Sequence, residues 1–514
     1  MLSATTMLRQ ISSRQRIDDH ILHVVLLVLT IAVGTVLRFY NLGAEDFWFD
    51  ELIMVQEVNA GLESIMDEAR GGRPPVSLVL AYFWTQIFGT SEAAARSLSA
   101  LAGTLCLPVI YAIGRELAGR RVALVATVLM ALSEFQLFYA QEFRYYSVFL
   151  LFTLLSFLGY ILFLKHGTYR SMALYVLISS LMFFAHTSGV FILIAQGLAF
   201  LLQARRHRPI WGLWLASQIL IALAIAPMVL HAATSSVSGS AGVQNWIPAR
   251  SWWYPLETLQ KFICSERFYV TPKRVGASIA WLVLGTGLFI LWKGRAQWLK
   301  AIKTFVPAVR RNIVLHREPL ILVGLWLLCP ILILVGLSEL SEPVYVHRYV
   351  IGAAPAFYLL LAMGLVSLRR IVPLPVFFGI FVLMNGLGTY EYYLHDDKEQ
   401  WSDMVAYVDA QAQPGDVMVF APDEQERLQT FFFMYSQGNL PGCSLTSPQQ
   451  DAATLTRDLT ACTAGHDRFW LVMRGQEKRT GNLRDFFFER EHATMQLTEQ
   501  HDFRGIEAHL FTLR

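Results

Sequence analysis

The sequence is poor in charged residues. Only 16% of its 514 residues are Asp, Glu, Lys or Arg, whereas 54% are hydrophobic, and the mean hydropathy is +0.43. This composition argues against an ordinary water-soluble domain and indicates a membrane protein. The net charge of +3 is small, and the basic residues stand in short clusters beside apolar segments, which makes nucleic acid an unfavourable partner.

Several motifs of common enzymes and transporters are absent. There is no Walker loop, GxGxxG fingerprint, HExxH pair or GxSxG elbow, so ATP-driven transport, a nucleotide-sugar donor and the common hydrolase designs lose support. The five cysteines form no CxxC pair and no cluster at zinc-ligand spacing. Cys443 and Cys462 both lie near the C-terminus, and a disulfide and two free thiols remain open for them.

Long apolar segments fill most of the first 390 residues. A helix needs roughly 20 residues to cross about 30 Å of hydrocarbon, and the sequence has about eleven such segments. The first follows a polar stretch and is long enough to span the membrane, so we expect it to be retained rather than cleaved. The predicted spans are 21–39, 92–114, 122–140, 145–164, 171–186, 188–203, 210–230, 276–292, 319–337, 349–368 and 371–390.

The distribution of basic residues predicts the orientation of these spans. If the N-terminus is cytoplasmic, every alternate connection carries Lys or Arg, which is the positive-inside pattern. An odd number of spans then puts the C-terminus outside. The basic positions concerned are Arg9, Arg14 and Arg16, Arg115, Arg120 and Arg121, Lys165 and Arg170, Arg205, Arg206 and Arg208, the stretch 293–317, and Arg369 and Arg370.

Two domains are predicted. Residues 1–390 form an α-helical multi-span membrane domain, with a first outer loop at about 40–91 and a middle outer loop at about 231–275. The first outer loop contains two segments, 49–59 and 73–88, that read as helices lying in the membrane interface. Residues 391–514 are more polar, and the helix, turn and strand pattern from DMVAYVDAQ to FWLVMR predicts a small extracytoplasmic α/β domain.

Two acidic motifs lie on the predicted outer face. Asp50 and Glu51 follow an aromatic pair just outside the first span, where the pKa of a carboxylate is open to tuning. Glu142, Arg144 and Tyr145 lie in the turn between two spans, where a charge is costly unless it is paired or functional. Solvated interfacial acids at the first motif, and an interfacial ion pair at the second, are the alternatives.

Cations on the outer face suggest a phosphate ligand. Arg73 precedes a proline pair in the first outer loop, and Arg348 lies between His347 and Tyr349 at the mouth of a late span. Lys and Arg are normally sparse on this face, and a guanidinium fork suits a phosphate. For Arg348, snorkelling of the side chain to the interface remains the alternative.

At these motifs the sequence resembles the GT-C glycosyltransferases, in the branch of protein O-mannosyltransferases and aminoarabinose transferases that use dolichyl- or undecaprenyl-phosphate sugars. Many relatives have His or Lys before the proline pair, and the tail from about 425 has no counterpart in the resemblance. The likeness covers most of residues 20–425 and rests on RFYNLG at 38, WFDEL at 48, RPPVSLVLAYFW at 73, SEAAARSLSALAG at 91, YAQEFRYYS at 139, HRYVIGAAPAFYLLLA at 347 and WSDMVAYV at 401.

The resemblance implies roles for these residues. It assigns the catalytic carboxylate to Asp50, with Glu51 as its neighbour and Glu142 as a further acid at the site. It implies that Arg73, Arg348 and Arg144 bind the donor phosphate, and the neighbouring Tyr145, His347 and Tyr349 are then expected to contact substrate. No cofactor is required; a divalent metal held by the acids at 50 and 142 is an option that no spacing demands.

The implied function is transfer of a sugar from a polyprenyl-phosphate donor to a hydroxyl acceptor, with inversion, on the extracytoplasmic face of a bacterial inner membrane. The acceptor is an envelope glycan, lipid or protein. The alternative is a transporter or flippase of lipid-linked sugars, which predicts polar residues at the membrane midplane and broken helices.

Overall fold

The computed structural model describes residues 4–237, 247, 254–263, 317–340, 343–368, 374–395, 398–423, 426–438, 440–445, 452–474, 483–489 and 495–514. The chain divides into two compact units. The helical unit comprises Met1–Leu42, Val58–Thr90 and Ala94–Leu394, and the sheet unit comprises Gly43–Glu57, Ser91–Ala93 and His395–Arg514. The first outer loop of the sequence is therefore shared between the two units.

Apolar helices dominate the helical unit. Among the described residues, six helices are long and apolar enough to cross a membrane, or seven if one bent pair counts as a single span. Three shorter apolar helices accompany them, while the predicted span 276–292 lies outside the described residues, so the number eleven stays a prediction. The helices are Ala4–Phe39, Gly61–Arg70, Val76–Phe88, Glu92–Ala118, Arg120–Leu132, Glu134–Ala140, Tyr146–His166, Tyr169–Ala185, Gly189–Leu202, Trp211–Val237, Tyr254–Ile263, Arg317–Leu340, Ala354–Leu368 and Leu374–Leu394.

The segment predicted as one span over 122–140 is bent. Arg120–Leu132 and Glu134–Ala140 meet at an angle of 60°. Ser133 lies between them in extended conformation, and its side chain accepts a hydrogen bond from the Gln136 N–H. Serine is a favoured N-cap residue, so the bend is the start of a second helix rather than a distortion of the first.

Arg38 satisfies the backbone at this bend. Its guanidinium is fully buried and donates to the carbonyl oxygens of Met130 and Ala131 at 3.2 Å, and to Gly34 at 2.9 Å. A helix that ends inside a membrane protein leaves carbonyl groups without intrahelical partners, which is costly unless another group binds them. Arg38 supplies those hydrogen bonds.

The short helix Tyr254–Ile263 ends in a polar junction. The Tyr358 hydroxyl donates to the carbonyl of Phe262 at 3.1 Å, and Asn385 Nδ2 donates to that of Ile263 at 2.9 Å. Tyr358 also bonds to Ser133, so the end of this helix and the bend share one partner. The junction fixes the direction in which Tyr254–Ile263 runs.

The expected helices of the first outer loop form, together with one more. The helix Phe49–Asn59 belongs to the sheet unit up to Glu57, and Val76–Phe88 belongs to the helical unit. The helix Gly61–Arg70 lies between them in sequence. Their location in a membrane interface stays a prediction.

A five-stranded mixed sheet forms the core of the tail. The strands are β1 Val417–Phe420, β2 Gly442–Ser444, β3 Arg468–Arg474, β4 Met495–Phe503 and β5 Ile506–Leu513. Their order is β2-β1-β3-β5-β4, with β1 parallel to β2 and β3, and β5 antiparallel to β3 and β4. β1 and β3 are buried along most of their length, as an apolar central strand requires. The α-helices that accompany the sheet are Phe49–Asn59, Trp401–Gln411, Arg427–Tyr435 and Ala452–Cys462.

The predicted strands at VMVFA and FWLVMR are therefore present. The hairpin of β4 and β5, which turns at Gly505 with a φ of 75°, was not predicted. Cys443 on β2 and Cys462 at the end of a helix are joined in a disulfide, with their Cα atoms 5.7 Å apart. The bridge ties an edge strand to the helix that follows it.

Candidate functional site

Asp50 and Glu51 occupy the first turn of the helix Phe49–Asn59, where the positive end of the helix dipole favours acidic residues. Their environments differ. Glu51 is fully buried, and its carboxylate accepts a hydrogen bond from Lys398 Nζ at 3.1 Å. Asp50 is half-buried. Of the two neighbours, Asp50 is the carboxylate that solvent reaches.

The backbone before Asp50 is held by the tail. The Glu45 carboxylate accepts a hydrogen bond from the Lys398 N–H at 3.1 Å. Asp46 accepts two bonds from Ser402, from its N–H at 2.7 Å and its hydroxyl at 2.8 Å. Together with the pair of Glu51 and Lys398, these contacts fix the position from which Asp50 projects.

The turn 141–145 is the second predicted acidic motif. The side-chain amide of Gln141 donates through Nε2 to the carbonyl oxygens of Leu37, Arg38 and Tyr40 at 2.8–3.2 Å. These are the terminal carbonyls of the first helix, which lack helical partners. Gln141 thus anchors the turn, a role that was not predicted from the sequence.

Glu142 and Arg144 follow in this turn and are both buried, with 3% and 8% of their surface exposed. The Arg144 guanidinium lies over the Tyr145 ring at 4.6 Å from its centre and donates to the Tyr145 hydroxyl at 3.1 Å. Ser99 donates to the Arg144 carbonyl at 3.2 Å. The turn therefore holds a cation against an aromatic ring in a defined position.

Aromatic rings surround His186 beside this turn. The rings of Tyr145, Tyr146 and Tyr349 lie 5.0, 6.4 and 5.8 Å from its ring. Arg348 directly precedes Tyr349 in the chain. We call these six residues, Arg144, Tyr145, Tyr146, His186, Arg348 and Tyr349, the arginine–aromatic cluster. It joins four of the predicted site residues.

Arg73 approaches the same part of the helical unit. Its guanidinium pairs with Glu68, and both side chains are 39% exposed. Ser77, one turn later, donates to the carbonyl of Ala185 at 3.1 Å, and Ala185 directly precedes His186. The segment bearing Arg73 is thus connected to the arginine–aromatic cluster.

His347 lies in a separate group with residues that the sequence did not single out. Its Nδ1 is 2.8 Å from the Thr258 hydroxyl, and its Nε2 is 3.3 Å from the Glu257 carboxylate. The hydrogen bond with His347 lowers the pKa of Glu257 below its ordinary value. Tyr345 bonds to Thr258 at 2.7 Å, and burial raises its pKa to about 12. The group holds the segment that leads into Arg348.

A further cluster lies on the hairpin of the tail. Carboxylate or imidazole atoms of Asp502, Glu507 and His509 lie within 4.8 Å of one another. Glu507 accepts hydrogen bonds from His509 and from Arg484. These bonds lower the pKa of Glu507 to about 2, and the bond with His509 has the larger effect. Because the Arg484 guanidinium already neutralises this carboxylate, we interpret the cluster as an internal ion pair of the tail.

The predicted site residues therefore fall into two sets. Asp50 and Glu51 belong to the sheet unit, whereas the arginines Arg73, Arg144 and Arg348 belong to the helical unit. Glu142, Tyr145, His347 and Tyr349 also belong to the helical unit. The basic residues Arg267, Lys273 and Arg274 of the middle outer loop lie outside the described residues.

Comparison with known proteins shows a family match over part of the chain and a similarity of fold. Residues 72–231 match the family described as dolichyl-phosphate-mannose-protein mannosyltransferase. This stretch contains Arg73, Glu142, Arg144 and Tyr145, but neither Asp50 nor Arg348. No curated protein matches the chain.

Among solved structures, the crystal structure of ArnT from Cupriavidus metallidurans in the apo state is 13% identical and covers 94% of this chain and 97% of that chain, with a TM-score of 0.56. The oligosaccharyltransferase of Archaeoglobus fulgidus is 12% identical over 90% of this chain and 69% of that chain, with a TM-score of 0.47. Arabinofuranosyltransferase AftD from Mycobacteria is 14% identical over 95% of this chain and 41% of that chain, with a TM-score of 0.42.

At this level of identity the similarity to ArnT shows the fold. The sequence match within 72–231 and the fold agree with each other, and both agree with the apolar composition. The predicted resemblance to the GT-C glycosyltransferases is confirmed as a resemblance: the chain is a multi-pass membrane protein that shares the fold of ArnT.

Proposed function

We propose that this protein is a membrane glycosyltransferase that moves a sugar from a polyprenyl-phosphate donor to a hydroxyl acceptor. The arginine–aromatic cluster carries the proposal. Arg144 lies against the Tyr145 ring, Arg348 adjoins Tyr349, and both rings flank His186 in a unit built of apolar helices. Arg73 lies on a segment bonded next to His186. Lys and Arg are normally sparse on the outer face of a membrane protein, and a lipid phosphate is an anion that suits the guanidinium fork.

The donor phosphate would bind the three arginines, and the aromatic rings would contact the sugar. Tyr145 and Tyr349 flank His186, so flat apolar faces lie beside the cations. This is the combination that a phosphosugar requires, because guanidinium groups bind phosphate oxygens while rings pack against the sugar. Glu142, buried in the same turn, would orient Arg144 rather than bind the phosphate.

Asp50 would act as the general base. It accepts the proton of the acceptor hydroxyl as that oxygen bonds to the anomeric carbon, and the bond between this carbon and the phosphate oxygen breaks. The polyprenyl phosphate leaves with the bonding electrons, and the arginines stabilise the charge it gains. A single displacement inverts the anomeric carbon.

Glu51 would support this reaction from a distance. Since its carboxylate is fully buried and bonded to Lys398, it is poorly placed to exchange a proton with an acceptor. Its proposed role is to fix the first turn of the helix, so that Asp50 keeps one orientation. We therefore propose a positioning role for Glu51 in place of the catalytic role that the resemblance predicts.

We further propose the eleven-span topology, with a cytoplasmic N-terminus and an extracytoplasmic tail, in a bacterial inner membrane. The positive-inside pattern supports it. An envelope glycan, lipid or protein then serves as acceptor.

The test is release of polyprenyl phosphate from a panel of undecaprenyl-phosphate sugars by the purified protein in the presence of envelope extract. Loss of a general base costs about 10²- to 10⁴-fold in rate, so Asp50→Asn should lose that much while remaining folded. Asp67→Asn is the matched control, since Asp67 is 62% exposed in the same loop. Absence of donor consumption, or equal rates for wild type and Asp50→Asn, would favour the alternative hypothesis of a flippase.

The arginines can be tested against a neighbour. Hydrogen bonds to charged groups are worth about 1.5–3 kcal/mol, so Arg73→Ala should lower kcat/KM for the donor by roughly 10- to 100-fold. Arg70→Ala is the control, because Arg70 also pairs with an acid of the same segment but is 77% exposed. Equal effects of the two variants would remove Arg73 from the proposed phosphate site.

A further inference from the structure

The sheet unit contains a groove that no part of the proposed mechanism uses. It has a volume of about 700 Å³, within the usual range of about 300–1,000 Å³ for a small-molecule site. One wall is a single face of the helix Trp401–Gln411, extended by the residues after it, and the other wall is the segment after the helix Arg427–Tyr435. The lining residues are Ser402, Val405, Ala406, Asp409, Ala412, Gln413, Pro414, Tyr435, Gln437, Gly438 and Leu440.

The two walls are joined through Asp409. Its carboxylate accepts hydrogen bonds from the Ser436 hydroxyl at 2.9 and 3.1 Å and from the Gln437 N–H at 3.3 Å. Gly438 allows this approach, since a Cβ at that position would lie 3.2 Å from the Asp409 carboxylate oxygen. The groove is therefore a built feature of the tail rather than a gap between loosely packed segments.

The chemistry of the lining selects a class of ligand. None of the described lining residues is Lys, Arg or His, so the groove offers no cation to a phosphate. It offers the amides of Gln413 and Gln437, the hydroxyl of Ser402, the carboxylate of Asp409 and the ring of Tyr435. Amide and carboxylate groups beside an aromatic ring can bond to hydroxyls and pack on an apolar ring face, which is what a neutral saccharide presents.

The groove is also attached to the segment that carries Asp50. Ser402 donates to the Asp46 carboxylate, and the Tyr435 hydroxyl accepts a hydrogen bond from the Phe47 N–H at 3.2 Å. Four residues of extended chain span at most about 14 Å, so the Cα atoms of Asp46 and Asp50 are no farther apart than that. A ligand in the groove lies within the reach of a short oligosaccharide from the proposed base.

We propose that this groove binds the saccharide portion of a neutral glycan acceptor. That the bound glycan is the acceptor rests on the proposed function, whereas binding of a saccharide to the groove requires neither the donor nor Asp50. It assigns the tail a part in choosing the acceptor, with the arginines of the helical unit left to the donor.

The experiment fills the groove with a side chain. Ala406 is exposed and lines the groove, so Ala406→Trp should block it without disturbing the core. Ala410 is exposed on the same helix and does not line it, which makes Ala410→Trp the matched control. Saturation-transfer NMR on the full-length protein in nanodiscs would measure binding of neutral gluco- and manno-oligosaccharides of three to seven residues.

We expect saturation transfer to these oligosaccharides with wild type and Ala410→Trp, and its loss with Ala406→Trp. Transfer that is equal in all three proteins, or absent with wild type, would overturn the proposal, as would transfer to a Ser/Thr-rich peptide in place of the saccharides. With an active donor and a glycan acceptor, Ala406→Trp should raise the acceptor KM by about tenfold or more and leave the donor KM unchanged. Failure of this pattern while Asp50→Asn remains inactive would reject the groove and retain the proposed function.

Discussion

Each unit of the protein contains a carboxylate paired with a basic residue from a distant part of the chain, and the two pairs differ in their access to water. In the sheet unit, Glu51 is fully buried and Lys398 is 9% exposed. In the helical unit, the Glu257 side chain is 34% exposed and that of His347 is 16% exposed. Both pairs stand beside residues that we assign to the reaction, Asp50 in one unit and Arg348 in the other.

The difference in exposure separates two uses of an ion pair. A buried carboxylate and ammonium have lost their hydration, so removing either one leaves an uncompensated buried charge. Such a pair therefore holds the two segments that carry it firmly together. A partly exposed carboxylate bonded to an imidazole keeps some of its hydration, so breaking the pair costs less free energy. The first pair therefore fixes a helix start, whereas the second holds the start of the 3₁₀ helix His347–Ala353 more weakly.

The largest effect is expected from breaking the buried pair. Lys398→Met leaves the Glu51 carboxylate buried without its cation, and loss of one partner of such a pair costs about 3–5 kcal/mol. The sheet unit should lose that much stability, measured by hydrogen exchange of residues 43–57 in the full-length protein. The double variant Glu51→Gln with Lys398→Met removes both charges and should recover most of the loss. A cost below about 1 kcal/mol for Lys398→Met would show that the pair is hydrated after all.

A third carboxylate, Glu507, tests whether the loss of stability decreases as the exposed fraction of the carboxylate increases. Glu507 is 12% exposed, and its hydrogen bonds with His509 and Arg484 lower its pKa from 4.5 to about 2. The folded tail therefore binds this proton less readily than the unfolded tail does, so the stabilisation is complete above pH 4.5 and declines as the pH falls towards 2. We expect a loss on the order of 2 kcal/mol over this window, measured by hydrogen exchange of β5. Glu507→Gln should lack this part of the pH dependence, and an unchanged pH profile in that variant would contradict the assignment.

Local features of the fold could be predicted from the sequence. The apolar segments became helices wherever the structure describes them, because their length and composition are properties of contiguous residues. The helix Phe49–Asn59 begins and ends where the sequence predicted. The bend at Ser133 was missed because the apolar run continues through it, although the serine followed by Glu134 is an N-terminal signal that could have been read.

Features that depend on distant residues could not be predicted. Glu51 and Lys398 are separated by 347 positions, and nothing near either residue indicates the other. Thr258 and His347 are 89 positions apart, so the sequence showed His347 without the helix that holds it. Arg144 and Tyr145, by contrast, are adjacent, and their predicted association in one turn agrees with the contact observed. The residue types at the site were thus visible, whereas their partners depended on the fold.

The smallest effect is expected from the exposed pair. Glu257→Gln keeps the size of the side chain and removes its charge, and a pair of this exposure contributes about 1 kcal/mol or less. Because His347 adjoins Arg348, the variant should raise the donor KM by roughly fivefold at most, with little change in kcat. The effect should shrink in acid, where Glu257 is protonated in wild type as well. Lys261→Met is the control, since Lys261 lies 3.8 Å from the same carboxylate and belongs to the same helix as Glu257. If Glu257→Gln abolished turnover instead, Glu257 would belong to the catalytic machinery. The contrast between the buried pair of Glu51 and the exposed pair of Glu257 would then have to be abandoned.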